Sequence, residues 1–178
     1  MVKNMVKHFI LITRHRIKVF KLCCKAGIPW RGFVHDLSKY SPIEFFESAK
    51  YYNGNYSPIS ECKKVNGYSE AWLHHKGRNK HHYEYWYDDK TTDKTIMIPY
   101  KYAVEMICDS LSASMIYTGK GWKIQNQIEY WEKNRKTAQV NQKTAKFLTD
   151  VYNEMAENGV YEVLNKKTLQ KLYKKNCE

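Results

Sequence analysis

The stretch NMVKHFILITRHRIKVFKLCCKA, residues 4–26, decides the fold class of this 178-residue chain. Six of its residues recur at intervals of 4, 3, 4, 3 and 4, which is the spacing of one face of an α-helix. They are His8, Ile12, His15, Val19, Leu22 and Ala26. Gly27 and the following Ile28-Pro29 end the pattern. The stretch therefore predicts a long first helix with an apolar face that also carries histidine.

The two histidines of this face lead to different expectations. His15 lies among apolar residues, so its ring should point inward, where an imidazole needs a polar partner or a metal ion. A buried structural histidine is the alternative. His8 stands near the start of the helix, where it is either a further inward group or an exposed residue of the frayed end, and we expect the latter.

The rest of the chain also has helical spacing, and no stretch alternates with the period of a β-strand. A serine, a proline and a glutamate at 41, 42 and 44 mark one helix start, and Pro99 marks another. Residues 53–67 read as an exposed loop, a candidate lid, and residues 88–97 as a polar connector. The further helices are expected at 31–39, 41–52, 69–86, 99–117, 124–131, 137–157 and after 168.

These elements predict an all-α fold, a compact helical bundle with a C-terminal helical extension. We expect a metal-binding helical domain over residues 1–120, with the C-terminal helices of residues 121–178 packed on the same domain. Hydrophobic residues make up 43% and charged residues 27%, the balance of an ordinary globular protein.

Cysteine spacing and hydropathy exclude several classes of protein. The five cysteines include no C-x-x-C pair, so neither a disulfide framework nor a zinc ribbon is expected. No signal peptide and no apolar run of spanning length is recognisable. We therefore expect a cytoplasmic protein without a membrane partner.

The net charge of +12 favours anionic partners. Nucleotides, other phosphate esters, nucleic acid and acidic lipid surfaces all fit this sign. A lysine-rich, solvated surface without a specific partner is the alternative, so charge serves only as support.

All seven histidines lie within the first 82 residues, and one is adjacent to an aspartate, His35-Asp36. Neutral imidazole is the commonest ligand of transition metals, and carboxylates complete such sites. The cluster of histidines with aspartate therefore predicts a metal centre, with His35 and Asp36 as adjacent ligands.

The paired histidines at 74–75 and 81–82 can be separated by helical phase. Residues at 68, 72, 75, 79, 82 and 86 share one stripe that contains two tryptophans, so we expect it to be buried. His75 and His82 are then the ligands, and Asn79 orients a ligand or contacts substrate. If Gly77 breaks the helix, His74 or His81 takes their place.

Charged residues near this stripe suit an anionic substrate. Lys76, Arg78 and Lys80 flank the paired histidines, although surface charge is their alternative reading.

Asp109 is the last candidate ligand. It shares a predicted inward stripe of the 99–117 helix with residues 102, 106, 113 and 116. A carboxylate there needs a cation or hydrogen-bond donors. Glu105, one turn earlier, is expected to accept a hydrogen bond from a ligand histidine or to pair with Lys101.

The order of these residues resembles that of the HD superfamily of metal-dependent phosphohydrolases. The resemblance is most specific at VHDLSKYSP, residues 34–42, and covers roughly residues 8–117. The string HHKGRNKHHYEYW, residues 74–86, is also similar to an uncharacterised family of phages and low-GC bacteria. The histidines are closer together in sequence than in most members of the superfamily, which makes a one-metal site more secure than a two-metal site.

The resemblance implies one or two divalent ions, drawn from Mn, Fe, Co, Ni, Zn and Mg. One ion would be bound by His15, His35, Asp36 and Asp109, and a second would add His75 and His82. The implied reaction is hydrolysis of a nucleotide or related phosphate ester by metal-activated water, with Lys39 and Arg78 neutralising the phosphoryl group.

Two other functions fit the same residues. A di-iron oxygenase uses the same order of ligands for oxygen chemistry. A non-catalytic, basic nucleic-acid-binding protein would instead use the last sixty residues to bind backbone phosphates.

Overall fold

The computed structural model describes residues 2–54 and 56–178, so Met1 and Asn55 lie outside the described residues. The predicted all-α class is confirmed: the described chain forms helices, with a single isolated antiparallel bridge between Tyr87 and Thr95. The helices are α1 (Val2–Lys25), α2 (Pro29–Val34), α3 (Pro42–Lys50), α4 (Pro58–Asn66), α5 (Glu70–Arg78), α6 (Tyr100–Thr118), α7 (Ile124–Asn134), α8 (Gln142–Asn158), α9 (Val160–Val163) and α10 (Lys166–Cys177).

The first helix follows its predicted bounds and buries its predicted face. The expectation for His8 is wrong, because this ring is buried against Phe45 and Tyr52, with ring centroids 5.5 and 5.9 Å away. Burial, aided by the positive charge of Lys39, lowers the pKa of His8 to about 4. His8 therefore packs as a neutral ring between α1 and α3.

Two predicted helices break in the middle. The helix predicted at 31–39 ends at Val34, and a short 3₁₀ turn, Leu37–Tyr40, follows. Asp36 lies in the break with a φ of 52°, in the left-handed region that aspartate tolerates better than most residues. The pair His35-Asp36 thus sits between helices and not on one.

The helix predicted at 69–86 ends at Arg78, and a second 3₁₀ turn covers Tyr83–Trp86. The backbone N–H and the side-chain amide of Asn79 both donate to the carbonyl of His75, at 3.1 and 2.8 Å, and close the last turn of the helix. Helical phase therefore does not determine which of His81 and His82 faces the interior, because both follow the end of the helix.

A helix also forms within the stretch predicted as a loop. Helix α4 begins after Ser57-Pro58, the same start signal as Ser41-Pro42, and ends at Gly67 with a left-handed φ of 81°. The loop prediction is wrong for this part. Of the described residues in this stretch, those at 53, 54, 56 and 57 and Gly67 are non-helical, and Asn55 lies outside the described residues.

Helix α6 divides the interior. The stripe predicted to be inward is wrong, since the fully buried face consists of Ala103, Val104, Ile107, Cys108 and Leu111. Asp109 is half-buried at the edge of this face. One side of α6 thus faces the hydrophobic core, and the neighbouring side faces the histidines.

The C-terminal helices bury their side chains in the same core as α1 and α6. Val19, Ile107, Phe147 and Leu169 belong to one continuous cluster of buried residues. Helix α8 begins at Gln142, later than predicted, where the side chain of Asn141 caps it. No described helix combines the length and the apolar character needed to cross a bilayer.

The contact between α1 and α2 predicts a strong effect of one added methyl group. A Cβ at Gly32 would lie 2.6 Å from Cys23 Cβ and 2.9 Å from Phe20 Cα. We expect Gly32→Ala to lower the free energy of unfolding by about 1–3 kcal/mol. Chemical denaturation of the variant and the wild type measures this difference.

Gly77→Ala is the matched control, because nothing lies within 4 Å of its added Cβ. It should raise the free energy of unfolding by up to about 1 kcal/mol, since alanine favours a helix over glycine. A Gly32→Ala variant as stable as the wild type would contradict the close packing of α2 on α1.

Candidate metal centre

Five segments of the chain converge on one cluster of histidine and aspartate side chains. Helix α1, the break after α2, the end of α5, the turn after α5 and helix α6 each contribute. The residues are His15, His35, Asp36, His75, His81, His82 and Asp109. All of them are buried or half-buried, so the fold encloses a strongly polar centre.

The first set of four candidate ligands is the one predicted for the first metal: His15, His35, Asp36 and Asp109. The Nε2 atoms of His15 and His35 lie 2.9 and 3.5 Å from Oδ1 of Asp109. His35 Nε2 also lies 3.3 Å from Oδ2 of Asp36. The structure thus brings these four predicted ligands together.

The second set consists of Asp36, His75, His81 and His82. The Nε2 atoms of His75 and His82 are 2.9 Å apart. Oδ1 of Asp36 lies 3.4 Å from Nε2 of His75 and 3.4 Å from Nε2 of His81. His81 was predicted only as a substitute, yet it stands in this set together with both predicted histidines.

Asp36 belongs to both sets. Its Oδ2 faces His35, and its Oδ1 faces His75 and His81. Because the two oxygens of one carboxylate point to different ligand sets, this side chain can bridge two ions.

The spacing within each set fits a shared ion. Oxygen and nitrogen ligands about 2.0–2.2 Å from one ion stand about 3–3.6 Å from each other in octahedral or tetrahedral geometry. The separations named above run from 2.9 to 3.5 Å. Each set can therefore accept a divalent ion with small side-chain movements.

Several atoms at the centre lack a hydrogen bond, although they lie close to charged neighbours. Among the described residues these buried atoms include Nε2 of His15, Nε2 of His35, Nε2 of His81 and Oδ1 of Asp36. Buried polar atoms without partners are costly and rare in folded proteins. Their convergence fits a site built for a cation.

The outward nitrogen of several histidines is held by another side chain. Nδ1 of His15 lies 3.3 Å from the Ser112 hydroxyl, and Nδ1 of His75 lies 2.8 Å from Glu44. Such contacts fix the ring so that Nε2 faces inward, which is how metal-binding histidines are oriented.

Glu105 performs this task for both sets. Its Oε1 lies 3.1 Å from Nδ1 of His35 and 3.3 Å from Nδ1 of His81. Its Oε2 accepts a hydrogen bond from Arg31 at 2.7 Å. Glu105 thus contacts candidate ligand histidines, which was one of the two predictions for this residue. The other prediction was an ion pair with Lys101, but the observed ion-pair partner is Arg31.

Comparison with known proteins gives a family without an assigned activity. Residues 4–154 match a family described as a family of unknown function (DUF5662). The chain belongs to this family. No curated protein matches the chain, and no solved structure matches it either. Every candidate ligand lies within the segment that the DUF5662 family covers.

At the centre of this DUF5662 chain, the buried aspartates and their cationic neighbours stabilise each other's charged forms. Burial alone would raise the pKa of Asp36, but His35, Lys39 and His75 hold it well below its usual range. Burial would likewise raise the pKa of Asp109, which His15 and His35 keep well below the usual range. Both aspartates are therefore ionised and ready to bind a cation.

The histidines respond in two ways. Burial alone would lower the pKa of His35, but Asp36 and Asp109 raise it well above its ordinary value. Burial lowers the pKa of His15, and burial together with the charges of His81 and His75 lowers that of His82. His15 and His82 thus remain neutral, the form that binds metal.

Burial alone would raise the pKa of Glu105, but His35, His81 and Arg31 hold it at about 2. This carboxylate is consequently ionised when it orients the two rings.

The other predicted site residues lie at different distances from the centre. The Lys39 ammonium stands 2.7 Å from Oδ2 of Asp36. Asn79 donates to the Ser38 hydroxyl at 2.9 Å, which ties the end of α5 to the turn after Asp36. Lys76 is half-buried and Arg78 is exposed, and neither side chain forms an ion pair or hydrogen bond with another described residue.

Four residues of the site escaped sequence reasoning in whole or in part. Glu44 was interpreted only as a helix-start residue, yet it is buried and accepts hydrogen bonds from His74 and His75. Ser112 and Arg31 gave no signal, because their partners are distant in sequence. The adjacent pair His81-His82 indicated that His81 could be a ligand, but helical phase, which assumes a continuous helix, favoured His82.

The contacts of the two glutamates predict different losses on substitution. Glu44 orients a ligand of the second set only, so Glu44→Gln should lower the affinity for one ion by about 10–100-fold and leave the affinity for the other unchanged. Glu105→Gln should lower the affinity for both ions. Calorimetric titration of the metal-depleted protein with Mn²⁺ or Co²⁺ resolves the two binding steps.

Glu129→Gln, an exposed substitution with the same change of charge, is the control and should bind like the wild type. Equal losses at both steps in Glu44→Gln, or no loss at either, would be inconsistent with this assignment.

Proposed function

We propose that this member of the DUF5662 family is a metal-dependent phosphohydrolase that acts on a nucleotide or related phosphate ester. The observation that carries the proposal is the pair of four-ligand sets that share the carboxylate of Asp36. Two ions held a few ångströms apart suit phosphoryl transfer, because they can stabilise both the attacking and the leaving oxygen. The order of the ligands, which resembles that of the HD superfamily, supports the same reaction.

The metal ions, when bound, would supply a water of lowered pKa and polarise a phosphoryl oxygen. Asp36 would hold both ions in a fixed relation, and Asp109 would hold the first. Glu105 would keep His35 and His81 oriented, so that the ligand sets need little rearrangement when substrate binds.

Lys39 is the best-placed cation for the substrate. Burial alone would lower the pKa of Lys39, but Asp36 and Asp109 raise it, so the ammonium stays charged at neutral pH. Its side chain is 26% exposed, so it can reach both Asp36 and a group that enters from solvent. We assign to Lys39 the neutralisation of charge on the transferring phosphoryl group.

The direction of substrate entry follows from exposure. Asp109 and Lys39 are 20% and 26% exposed, whereas the side chains of His35 and His81 are fully buried. Substrate would therefore approach over Asp109 and Lys39. Arg78, exposed at the end of α5, is assigned to a more distant part of the substrate.

The charge and the thiols fit this activity in the cytoplasm. A net charge of +12 attracts phosphate esters. All five cysteines are unpaired, as is usual in a reducing compartment.

Hydrolysis assays of the metal-loaded protein test the proposal. Protein purified without a nickel column is reconstituted with Mn, Fe, Co, Ni, Zn or Mg and assayed on phosphomonoesters, phosphodiesters and nucleotides. We expect Asp36→Asn to lose hydrolysis by at least about 100-fold, because both ligand sets lose a charged bridging group. Released phosphate or alcohol is the readout.

His74→Gln is the matched control. His74 is adjacent to a candidate ligand but points to Glu44 and belongs to neither set, so most activity should remain. Absence of hydrolysis with every metal, or an unchanged rate in Asp36→Asn, would overturn the proposal. Oxygen uptake that depends on iron would favour the oxygenase, and nucleic-acid binding that survives Asp36→Asn without turnover would favour the non-catalytic alternative.

A further inference from the structure

Helix α1 exposes an apolar stripe that no other described element covers. At about 100° per residue, its exposed apolar residues cluster on one side, turned roughly 140° from the buried face that contains His15. They are Val2, Val6, Phe9, Ile10, Ile17 and Phe20, each of them a large exposed side chain. The helix is thus apolar both toward the core and toward solvent.

A basic stripe runs along one flank of the exposed apolar stripe. Six cations fall within about 60° of each other around the helix. They are Lys3, Lys7, Arg14, Lys18, Lys21 and Lys25. Residues 1–35 contain eight Lys and Arg and no Asp or Glu, and the first acidic residue, Asp36, is buried. The outer surface of α1 is therefore segregated into an apolar half and a cationic half.

Helix α2 extends the apolar half on the flank away from the cations. Gly32 lets α2 pack against the backbone of Phe20. Trp30 and Phe33 stack with ring centroids 5.6 Å apart and remain 69% and 58% exposed. Leu37, in the following turn, is exposed as well. We call the exposed apolar residues of α1 and α2, with Leu37 and the basic stripe, the α1–α2 face.

The chemistry of the face selects among partners. Exposed apolar patches of this extent mark interaction sites. A second copy of the chain would bring two cationic stripes, without any acidic group to pair with them, onto one interface. Nucleic acid would match the cations, but the aliphatic side chains of Ile10 and Ile17 gain nothing from phosphates or base edges. An anionic bilayer surface matches both halves, since apolar residues enter the headgroup region while Lys and Arg contact anionic lipids.

We propose that the α1–α2 face binds peripherally to anionic membrane surfaces, with α1 lying in the plane of the interface. The exposed indole of Trp30 suits that boundary. The buried side of α1, with His15, faces away from the bilayer, so binding leaves the metal centre intact. This inference goes beyond the proposed hydrolase, does not depend on it, and replaces the expectation that the protein has no membrane partner.

Co-sedimentation of the full chain with vesicles tests the inference. The probes are vesicles of phosphatidylglycerol mixed with phosphatidylcholine, and vesicles of phosphatidylcholine alone. We expect binding to the anionic vesicles only. The double variant Ile10→Ser with Ile17→Ser and the double variant Lys7→Glu with Lys21→Glu should each bind at least about 10-fold more weakly.

Matched controls carry the same chemical changes elsewhere. Val65→Ser with Ile96→Ser removes exposed apolar groups outside the face, and Lys133→Glu with Lys136→Glu makes the same change of net charge. Both should bind vesicles like the wild type. Tryptophan fluorescence gives a second readout: insertion of Trp30 into the bilayer should shift the emission to the blue on binding. The single substitution Trp30→Phe should abolish this shift.

Three results would overturn the inference. One is equal binding, or none, to both kinds of vesicle. Another is vesicle binding that Lys7→Glu with Lys21→Glu and Lys133→Glu with Lys136→Glu weaken equally and that Ile10→Ser with Ile17→Ser leaves unchanged. Such a result would mean that net charge alone attracts the protein to the vesicles. The third is a stable dimer by light scattering that Ile10→Ser with Ile17→Ser dissociates, because a second copy would then cover the face.

Discussion

The buried carboxylate of Asp36 is the constraint on which the rest of the site depends. It is buried, its Oδ2 is ion-paired with Lys39 at 2.7 Å, and its Oδ1 has no hydrogen bond among the described residues. A buried charge without partners would be too costly to persist in a folded protein. The chain meets this cost by surrounding Asp36 with Lys39, with the adjacent His35 and with His75 and His81 from two other segments. Under the proposed function, a divalent ion in each ligand set would add to these partners of Asp36.

Breaks in helices, more than helices themselves, supply the geometry. If residues 34–39 were one continuous helix, His35 and Asp36 would diverge by about 100° and could not both face the same centre as easily. The left-handed backbone of Asp36 turns its side chain between the two ligand sets. The end of α5 at Arg78 similarly lets His81 and His82 both return to the centre where His75 already lies. Local departures from regular structure of this kind are typical of functional sites.

Sequence patterns predicted the parts that depend on local spacing. The buried face of α1 follows from apolar periodicity. The ligands of the first set follow from residue type and from the resemblance in their order to the HD superfamily, and the structure brings those ligands together. His81 was misplaced because the pattern around Gly77 continues smoothly, while the end of α5 at Arg78 becomes visible only in three dimensions. Glu44 and Arg31 could not be assigned, because each acts through a partner distant in sequence. Helix α4 was missed although its start signal repeats that of α3, since its polar residues resemble a loop.

Diffraction at the manganese absorption edge can show directly whether two ions share the Asp36 carboxylate. Crystals of the full chain reconstituted with Mn²⁺ would give an anomalous difference map at the centre. We expect two peaks about 3.5–4 Å apart, one on each side of the Asp36 carboxylate. A single peak, or none within reach of Asp36 at saturating Mn²⁺, would contradict this expectation.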